Sequence, residues 1–464
     1  MLTFSLVLLG FLAVGWAAAR RQGAATDDYY LASRSLPPWL VGLSAVATNN
    51  SGYMFIGVIG FTYQAPLDAL YLMVGWLAGD ALATARVHGA LQRRSHSEGA
   101  RSYLSLLLPP GASLGAARML ASIALAFLVS YCAAQLLAGA KALGATYGLG
   151  VLWGVLIGAV LIGFYSFAGG LRASIWTDAA QSVVMMGAMG ALLWAAYGAL
   201  PPGALEASLP SSPFPRDALA PNGWGLGLFV LGWGFAGASV LGQPHVMVRF
   251  MTLAPEASIV QTRLWYYLWF CIFYCLASAV GLLSRAFFAG AEVFDPELAM
   301  PRLAVEVLPA GFEGVLLAGV FAATLSTADS LLLGASAALT QDAFPQLQRS
   351  KRAAKSATLS LLGLACLLAW AQPSSVFQLV VFSWSGLASA FAPLLIARLA
   401  GWRLPLGLLW AVPLAGLAAA VLWRLAGWHT ALYEGAPGML LGLALLYLGR
   451  GSGMPRARRH SRSA

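Results

Sequence analysis

Stretches of about twenty apolar residues recur along this chain with almost nothing charged inside them. They fall near 2–19, 38–62, 66–86, 118–144, 147–167, 174–199, 224–243, 263–285, 311–338, 356–373, 375–398, 404–425 and 430–449, thirteen in all. A bilayer core ~30 Å thick takes ~20 helical residues per crossing, and a spanning segment must satisfy its own backbone. The pattern therefore predicts an all-α polytopic membrane protein. Only 9% of the 464 residues are charged, where a soluble domain carries about a quarter. Such a chain cannot cover a water-facing surface. Its 51 Gly and 23 Pro are tolerated in membrane helices, whose neighbours re-satisfy freed backbone groups.

Several chemistries are disfavoured at once. Cys132, Cys271, Cys275 and Cys366 sit in apolar runs without metal-ligand spacing, so no disulfide framework is implied. His88, His96, His245, His429 and His460 all read as lying away from segment centres, which argues against haem ligation. Thirteen crossings put the termini on opposite sides. One set of loops then holds 22 of the 27 Lys and Arg, and the other keeps Lys141, Arg216, Arg285, Arg302 and Arg424. The positive-inside rule places the amino terminus outside and the basic tail RARRHSR in the cytoplasm. The net charge of +10 thus points to topology rather than to nucleic acid. The first segment ends in small residues like a cleavable signal, yet it lacks a basic start and Arg20-Arg21 follow it. It is expected to be a retained helix, with no soluble domain appended.

Polar groups inside such segments are costly and point to function. Segment two reads LSAVATNNSGYMFIG. If its helix unwinds there, carbonyls around Ala47 and Asn50 become oxygen ligands for a small cation; helix–helix hydrogen bonding is the competing explanation. Segment seven carries glycines at 225, 227, 232, 234, 237 and 242, each weakening a helix by about 1 kcal/mol relative to Ala. It begins five segments after the second, the spacing of an inverted repeat with interrupted helices. Segment nine contains Ser326, Thr327, Asp329 and Ser330, with 326, 329 and 330 on one face. Back-bonding explains the hydroxyls equally well, but a carboxylate at that depth needs a cation, a proton or a partner. Asp178 stands about one turn inside segment six, where the helix dipole alone would favour it.

DDYYLASRSLPPW, SAVATNNSGY, SYCAAQLLAGAK, GGLRASIWTD, GQPHVMVRFM and LSTADSLLLGASAALTQD occur in the order seen in the sodium:solute symporter family. Over residues 27 to 345 the chain resembles the family's bacterial sodium/proline carriers. The resemblance implies a LeuT-type 5+5 inverted repeat of thirteen helices, with discontinuous helices two and seven, in a bacterial inner membrane. The whole chain would be one transporter domain: 1–36 an extra helix and loop, 37–200 and 224–398 the repeats, 399–450 two further helices, and 451–464 the tail. A first sodium would be held by carbonyls of Ala47, Asn50 and Ala323 and by the hydroxyls of Ser326 and Thr327. A second cation site would involve Asp178, Ser326, Asp329 and Ser330, where Asp329 is an extra carboxylate in place of the more usual Ser. Tyr131 matches the family's substrate-contacting tyrosine. Asn49 replaces the Asp of the proline carriers' SDMSG motif, as in sugar-transporting relatives, and Ala236 and Val240 stand where those carriers have aromatic residues. Ser51, Tyr53, Gln135, Trp233, Phe235 and Ser239 complete the expected solute contacts.

The expected function is therefore sodium-coupled import of a small organic solute, an amino acid or related compound, by alternating access. Proton-coupled uptake of an organic acid or vitamin, and a solute-sensing transceptor, are the alternatives. A nucleotide-driven pump lacks a GxxxxGK[ST] loop, GAK at 139–141 lying outside. An intramembrane hydrolase using Ser239 or Ser336 would need a histidine base, and His245 reads as a cytoplasmic helix end. No enzyme is expected.

Overall fold

The computed structural model describes residues 2–20, 26–209, 225–289, 293–309, 311–371, 375–402 and 404–449, without the side chains of 26–27 and 165–169. The basic tail, most of the stretch 200–223, and Arg21, Glu292 and Arg403 lie outside the described residues.

The helices that position the site are, among the described residues, α1 Leu2–Ala19, α2 Pro38–Gly52, α3 Pro66–Ser97, α4 Leu114–Tyr147, α5 Val151–Ala199, α6 Gly225–Ala238, α7 Pro244–Met251, α8 Ile259–Phe287, α9 Phe312–Ala337, α10 Lys351–Ala371, α11 Val376–Leu399, α12 Leu408–Leu425 and α13 Gly435–Gly449. They do not correspond one to one with the thirteen apolar segments. Ten helical stretches among the described residues are long and apolar enough to cross a membrane, while Val151–Phe164 and Gly435–Gly449 are shorter. Segment two is cut at Gly52, and segments five and six run through α5 with a turn at Gly170. Gly170 has φ +55°, and a Cβ there would lie 2.5 Å from the Tyr29 carbonyl, so both backbone and space require glycine.

Two helices break at corresponding places. In α2, Ser51 leaves helical geometry at φ 41°, ψ −177°, and a π-helical turn, Tyr53–Val58, follows. Segment seven passes from α6 through a 3₁₀ turn, Ser239–Gly242, to extended Gln243, and Pro244 then opens α7. Pro at the first helical position costs no hydrogen bond, because that N–H would be unpaired anyway. Of the carbonyls at this break, that of Ser239 accepts from Gln243 Nε2 at 3.1 Å and that of Leu241 from Tyr103 OH, while Gln243 Nε2 also ties the break to α11 through the Trp384 carbonyl at 2.9 Å. Segment seven thus runs on to Met251, eight residues past its expected end, because an eight-residue helix bearing Arg249 and His245 has no apolar signature of its own.

α9 is the central element, packed by α1, α2, α4, α5 and α10, which is why its polar residues have no water to face. The first helix belongs to this packing: Phe4 meets Phe321 edge-on at 5.2 Å. The glycines of segment seven serve approach more than flexibility. A Cβ on Gly79 of α3 would lie 1.8 Å from the Gly234 carbonyl, and one on Gly237 would lie 2.0 Å from that of Trp76. Backbones meet there directly, as small residues permit between membrane helices. Gly237→Leu is therefore expected to lower the thermal midpoint and folded yield, overpacking costing about 1–3 kcal/mol or more. Gly187→Ala, in open space, should leave the midpoint unchanged or raise it by the equivalent of up to about 1 kcal/mol.

Candidate functional site

The break in α2 lies against α9. Thr327 Oγ1 donates to the Thr48 carbonyl at 3.0 Å, and Thr48 Oγ1 stands 3.5 Å from Ser330 Oγ. The freed Gly52 N–H donates to Gln135 Oε1 of α4 at 2.9 Å. A Cβ on Gly52 would meet Thr324 Cγ2 at 2.5 Å, so the two backbones are close. Ala47, Asn50, Ala323, Ser326 and Thr327 are all buried at this junction. Ser326 Oγ makes no close hydrogen bond and has Asp178 as its polar neighbour, which leaves an oxygen able to turn to a cation at this junction.

Asp178, Ser326, Asp329 and Ser330 are buried together with a residue absent from the expected set. Arg249 of α7, counted above among cytoplasmic loop cations, is in fact fully buried. Its Nη2 reaches Asp178 Oδ2 at 2.9 Å and also donates to Ser330 Oγ. Its Nε donates to Ser44 Oγ at 2.8 Å, and Ser44 in turn donates to Asp178 Oδ2 at 2.5 Å. Asp178 Oδ1 has no partner. The chain's own guanidinium thus supplies a positive charge to this cage. Asp329 lies in electrostatic range of Tyr29 and Cys132. Short of a cation of its own, a lone Asp178 at this depth would be costly.

The expected solute contacts divide into two groups. Tyr131, Ser51, Gln135 and Tyr53 come together at the break, Tyr131 OH donating to Ser51 Oγ at 3.3 Å. Tyr53 OH, Gln135 Nε2 and Asn49 Oδ1 are buried without partners, as is Nε1 of Trp76. Rings connect this group outward: Tyr53 lies 5.8 Å from Trp76 and 5.3 Å from Phe377, and Trp76 stacks on Trp233 at 5.9 Å. Trp233 and Phe377 line a cavity of about 670 Å³ with Tyr433, Asp68, Asp295, Glu297, Glu434 and Arg424 at its walls. Ala236, Ser239 and Val240 are buried on the α6 side of the break, where Trp384 Nε1 donates to the Ala236 carbonyl at 2.8 Å. Half-buried Phe235 accepts the Ser239 hydroxyl on its carbonyl at 2.8 Å.

Sequence reasoning missed Arg249, Trp76, Trp384 and Phe377, and it misplaced two histidines. His245 and His88 are buried inside the bundle, not at exposed helix ends. His245 packs edge-on against Tyr131 and Trp384 at 5.5 and 6.1 Å, and neither of its nitrogens has a hydrogen-bond partner. Ser239 and Ser336 donate to backbone carbonyls instead, so no serine–histidine pair exists among the described residues. Arg249 was within reach, because it stands in the quoted motif GQPHVMVRFM.

Comparisons with known proteins agree with this geometry. A sequence profile of the sodium:solute symporter family matches residues 29–403. The chain is 28% identical over 463 residues to the sodium/proline symporter of Escherichia coli (strain K12), covering 95% of this chain and 89% of that protein. It is also 28% identical to the Haemophilus influenzae sodium/proline symporter, over 91% and 88% of the two chains. In structure it resembles a Na+-coupled sialic acid symporter in a substrate-bound outward-open state, with TM-score 0.76, 18% identity and 98% of each chain covered. It also resembles a nucleobase-cation-symport-1 family transporter in a closed conformation, with TM-score 0.59, 17% identity and 92% and 95% covered.

The protein is thus a membrane carrier with the inverted-repeat fold shared by these transporters. It belongs to the sodium:solute symporter family, with sodium as its coupling ion. Removing one member of the buried ion pair gives a sharp expectation. Arg249→Ala strands Asp178 and should destabilise by about 3–5 kcal/mol, seen as lost folded yield and a lower thermal midpoint. Arg249→Met with Asp178→Leu should recover most of that loss; a double variant as unstable as Arg249→Ala would contradict the pairing.

Proposed function

We propose that this carrier brings a small zwitterionic solute of the amino-acid class into the cell with sodium, by alternating access. The observation that carries this reading is the break of α2 pinned to α9 beside the buried Ser326 hydroxyl. Carbonyls of Ala47, Asn50 and Ala323 with the hydroxyls of Ser326 and Thr327 would form an oxygen set suited to a small hard cation. Sodium there offsets the cost of the unwound backbone and ties α2 to α9, favouring a solute-ready state. Asp178, Asp329 and Ser330 serve a second cation only if Arg249 withdraws, so one sodium per cycle is the simpler assignment.

The solute contacts suit a zwitterion. Asn49 Oδ1 can accept from an ammonium, while Tyr53 OH, Gln135 Nε2 and Trp76 Nε1 can donate to a carboxylate. Tyr131, Trp233 and Trp384 provide apolar walls, with Phe235 and Ser239 flanking and Ala236 and Val240 leaving more room than two further rings would. The acid-rimmed cavity is the outer vestibule, where its carboxylates raise local cation concentration. Thirteen crossings with the amino terminus outside and a cytoplasmic tail complete the topology, and no catalysis is assigned. One charge moved through 100 mV supplies ~2.3 kcal/mol. Sodium and solute must raise each other's affinity by the same factor.

Uptake in proteoliposomes tests this reading, with L-proline tried first and other amino acids after it. Uptake should require sodium rather than potassium at fixed voltage. Ser326→Ala and Thr327→Ala should each raise half-saturating sodium tenfold or more, about 1.4 kcal/mol per tenfold. Flux indifferent to sodium would reject the reading. Flux of an organic acid driven by a pH gradient would favour the proton-coupled alternative.

A further inference from the structure

Asp80 of α3 is a further carboxylate at membrane depth, fully buried, and it forms no salt bridge among the described residues. Its Oδ1 lies 2.7 Å from Tyr267 OH, and its Oδ2 lies 3.0 Å from Tyr266 OH and 3.5 Å from Asn49 Nδ2. Asn49 Nδ2 also donates to Tyr266 OH at 2.5 Å. Thr84 Oγ1 lies 2.6 Å from Tyr267 OH and 2.9 Å from the Asp80 carbonyl.

Every contact of the Asp80 carboxyl is one it accepts: Tyr267 donates to Oδ1, and Tyr266 and Asn49 donate to Oδ2. The Thr84 hydroxyl, which reaches both the Asp80 carbonyl and Tyr267 OH, completes the shell. Hydrogen bonds from neutral groups do not supply the missing positive charge, and an ionised carboxylate without one is expensive at this depth, so the group calls for a bound proton.

The surroundings agree with a proton rather than a metal ion. Both oxygens of Asp80 already meet phenols, and no group of three or more His, Cys, Asp or Glu side chains able to hold a metal ion exists among the described residues. The titratable groups facing it come from α8: Tyr266, Tyr267, Tyr274 and, at longer range, Arg263. α2 brings the Asn49 amide, α6 packs glycine backbone there without a titratable side chain, and α7 directs Arg249 to Asp178. Along α3, Asp80, Thr84, His88 and Gln92 repeat every fourth residue and share a buried face. This polar stripe is ~18 Å long at ~1.5 Å per residue. His88 has no partner on either nitrogen, and Gln92 Nε2 ends the stripe on the Ala254 carbonyl at 2.8 Å.

We propose that Asp80 is a proton-binding site of this carrier, loaded in the state described here and connected along the α3 stripe to the cytoplasmic side. Its link to transport runs through Asn49 and rests on the solute reading above. When the proton leaves for water, the charged carboxylate draws Tyr266, Tyr267 and the Asn49 amide more strongly, holding Asn49 toward α3.

Infrared spectroscopy of the full-length protein in liposomes tests the site without any solute. A protonated-carboxyl C=O band should be present in the wild type near neutral pH, vanish in Asp80→Asn and titrate away at alkaline pH. Tyr267→Phe removes a donor to the carboxylate, so the band should persist to higher pH than in the wild type. In sodium-driven L-proline uptake, a single proton allows up to about tenfold change per pH unit, and Asp80→Asn should flatten that dependence. A wild-type spectrum with no band that Asp80→Asn removes overturns the proposal, as does an unchanged pH profile in the variant. A band in protein without sodium-driven uptake supports the proton site and counts against the sodium reading.

Discussion

One hydrogen bond joins the two parts on which the rest of this molecule depends: Thr327 of α9 reaches the Thr48 carbonyl just before α2 leaves helical geometry at Ser51. A helix broken at membrane depth exposes carbonyls and N–H groups that lipid cannot satisfy, so it survives only against protein or a lined cavity. Here the N–H of Gly52 finds Gln135, the Thr48 carbonyl finds Thr327, and the Ser326 hydroxyl lies buried beside them. The same arrangement that resolves a folding problem leaves oxygens positioned for a small cation. The matching break in segment seven is closed differently, with Gln243 folding back on Ser239 and Trp384, so the two halves of the repeat share geometry without sharing chemistry.

Buried charge is handled in two further ways. Asp178 meets Arg249 directly, and the pair is wrapped by Ser44 and Ser330 hydroxyls. Such a pair contributes less to stability than to specificity, since desolvating both ions offsets most of their attraction. Asp80 meets only phenols, a hydroxyl and an amide. Asn49 contacts Asp80, so a carboxylate stands beside this part of α2 from the neighbouring helix.

Much of this was legible in the sequence, for physical reasons. Amides and hydroxyls at Thr48, Asn49, Asn50 and Ser51 inside an apolar run announced the α2 break, and glycine density announced the second. The hydroxyl face of α9 followed from helical spacing. Arg249 and His245 were misplaced because a short helix after Gln243-Pro244 has no room for a periodic pattern, and a cation there resembles a loop cation. Trp76, Trp384 and Phe377 were invisible for the opposite reason, since in a segment apolar on every face one aromatic residue carries no directional signal. Asp80 was open to the same argument that singled out Asp329, a carboxylate inside an apolar run.

A high-resolution map of the protein in sodium-containing buffer bears most directly on the account. It should show α2 broken at Ser51 and a coordinated density peak within ligand distance of the Ala47 carbonyl and Ser326 Oγ, absent when potassium replaces sodium. An α2 running unbroken through Ser51, or sodium density placed elsewhere with that junction empty, would contradict it.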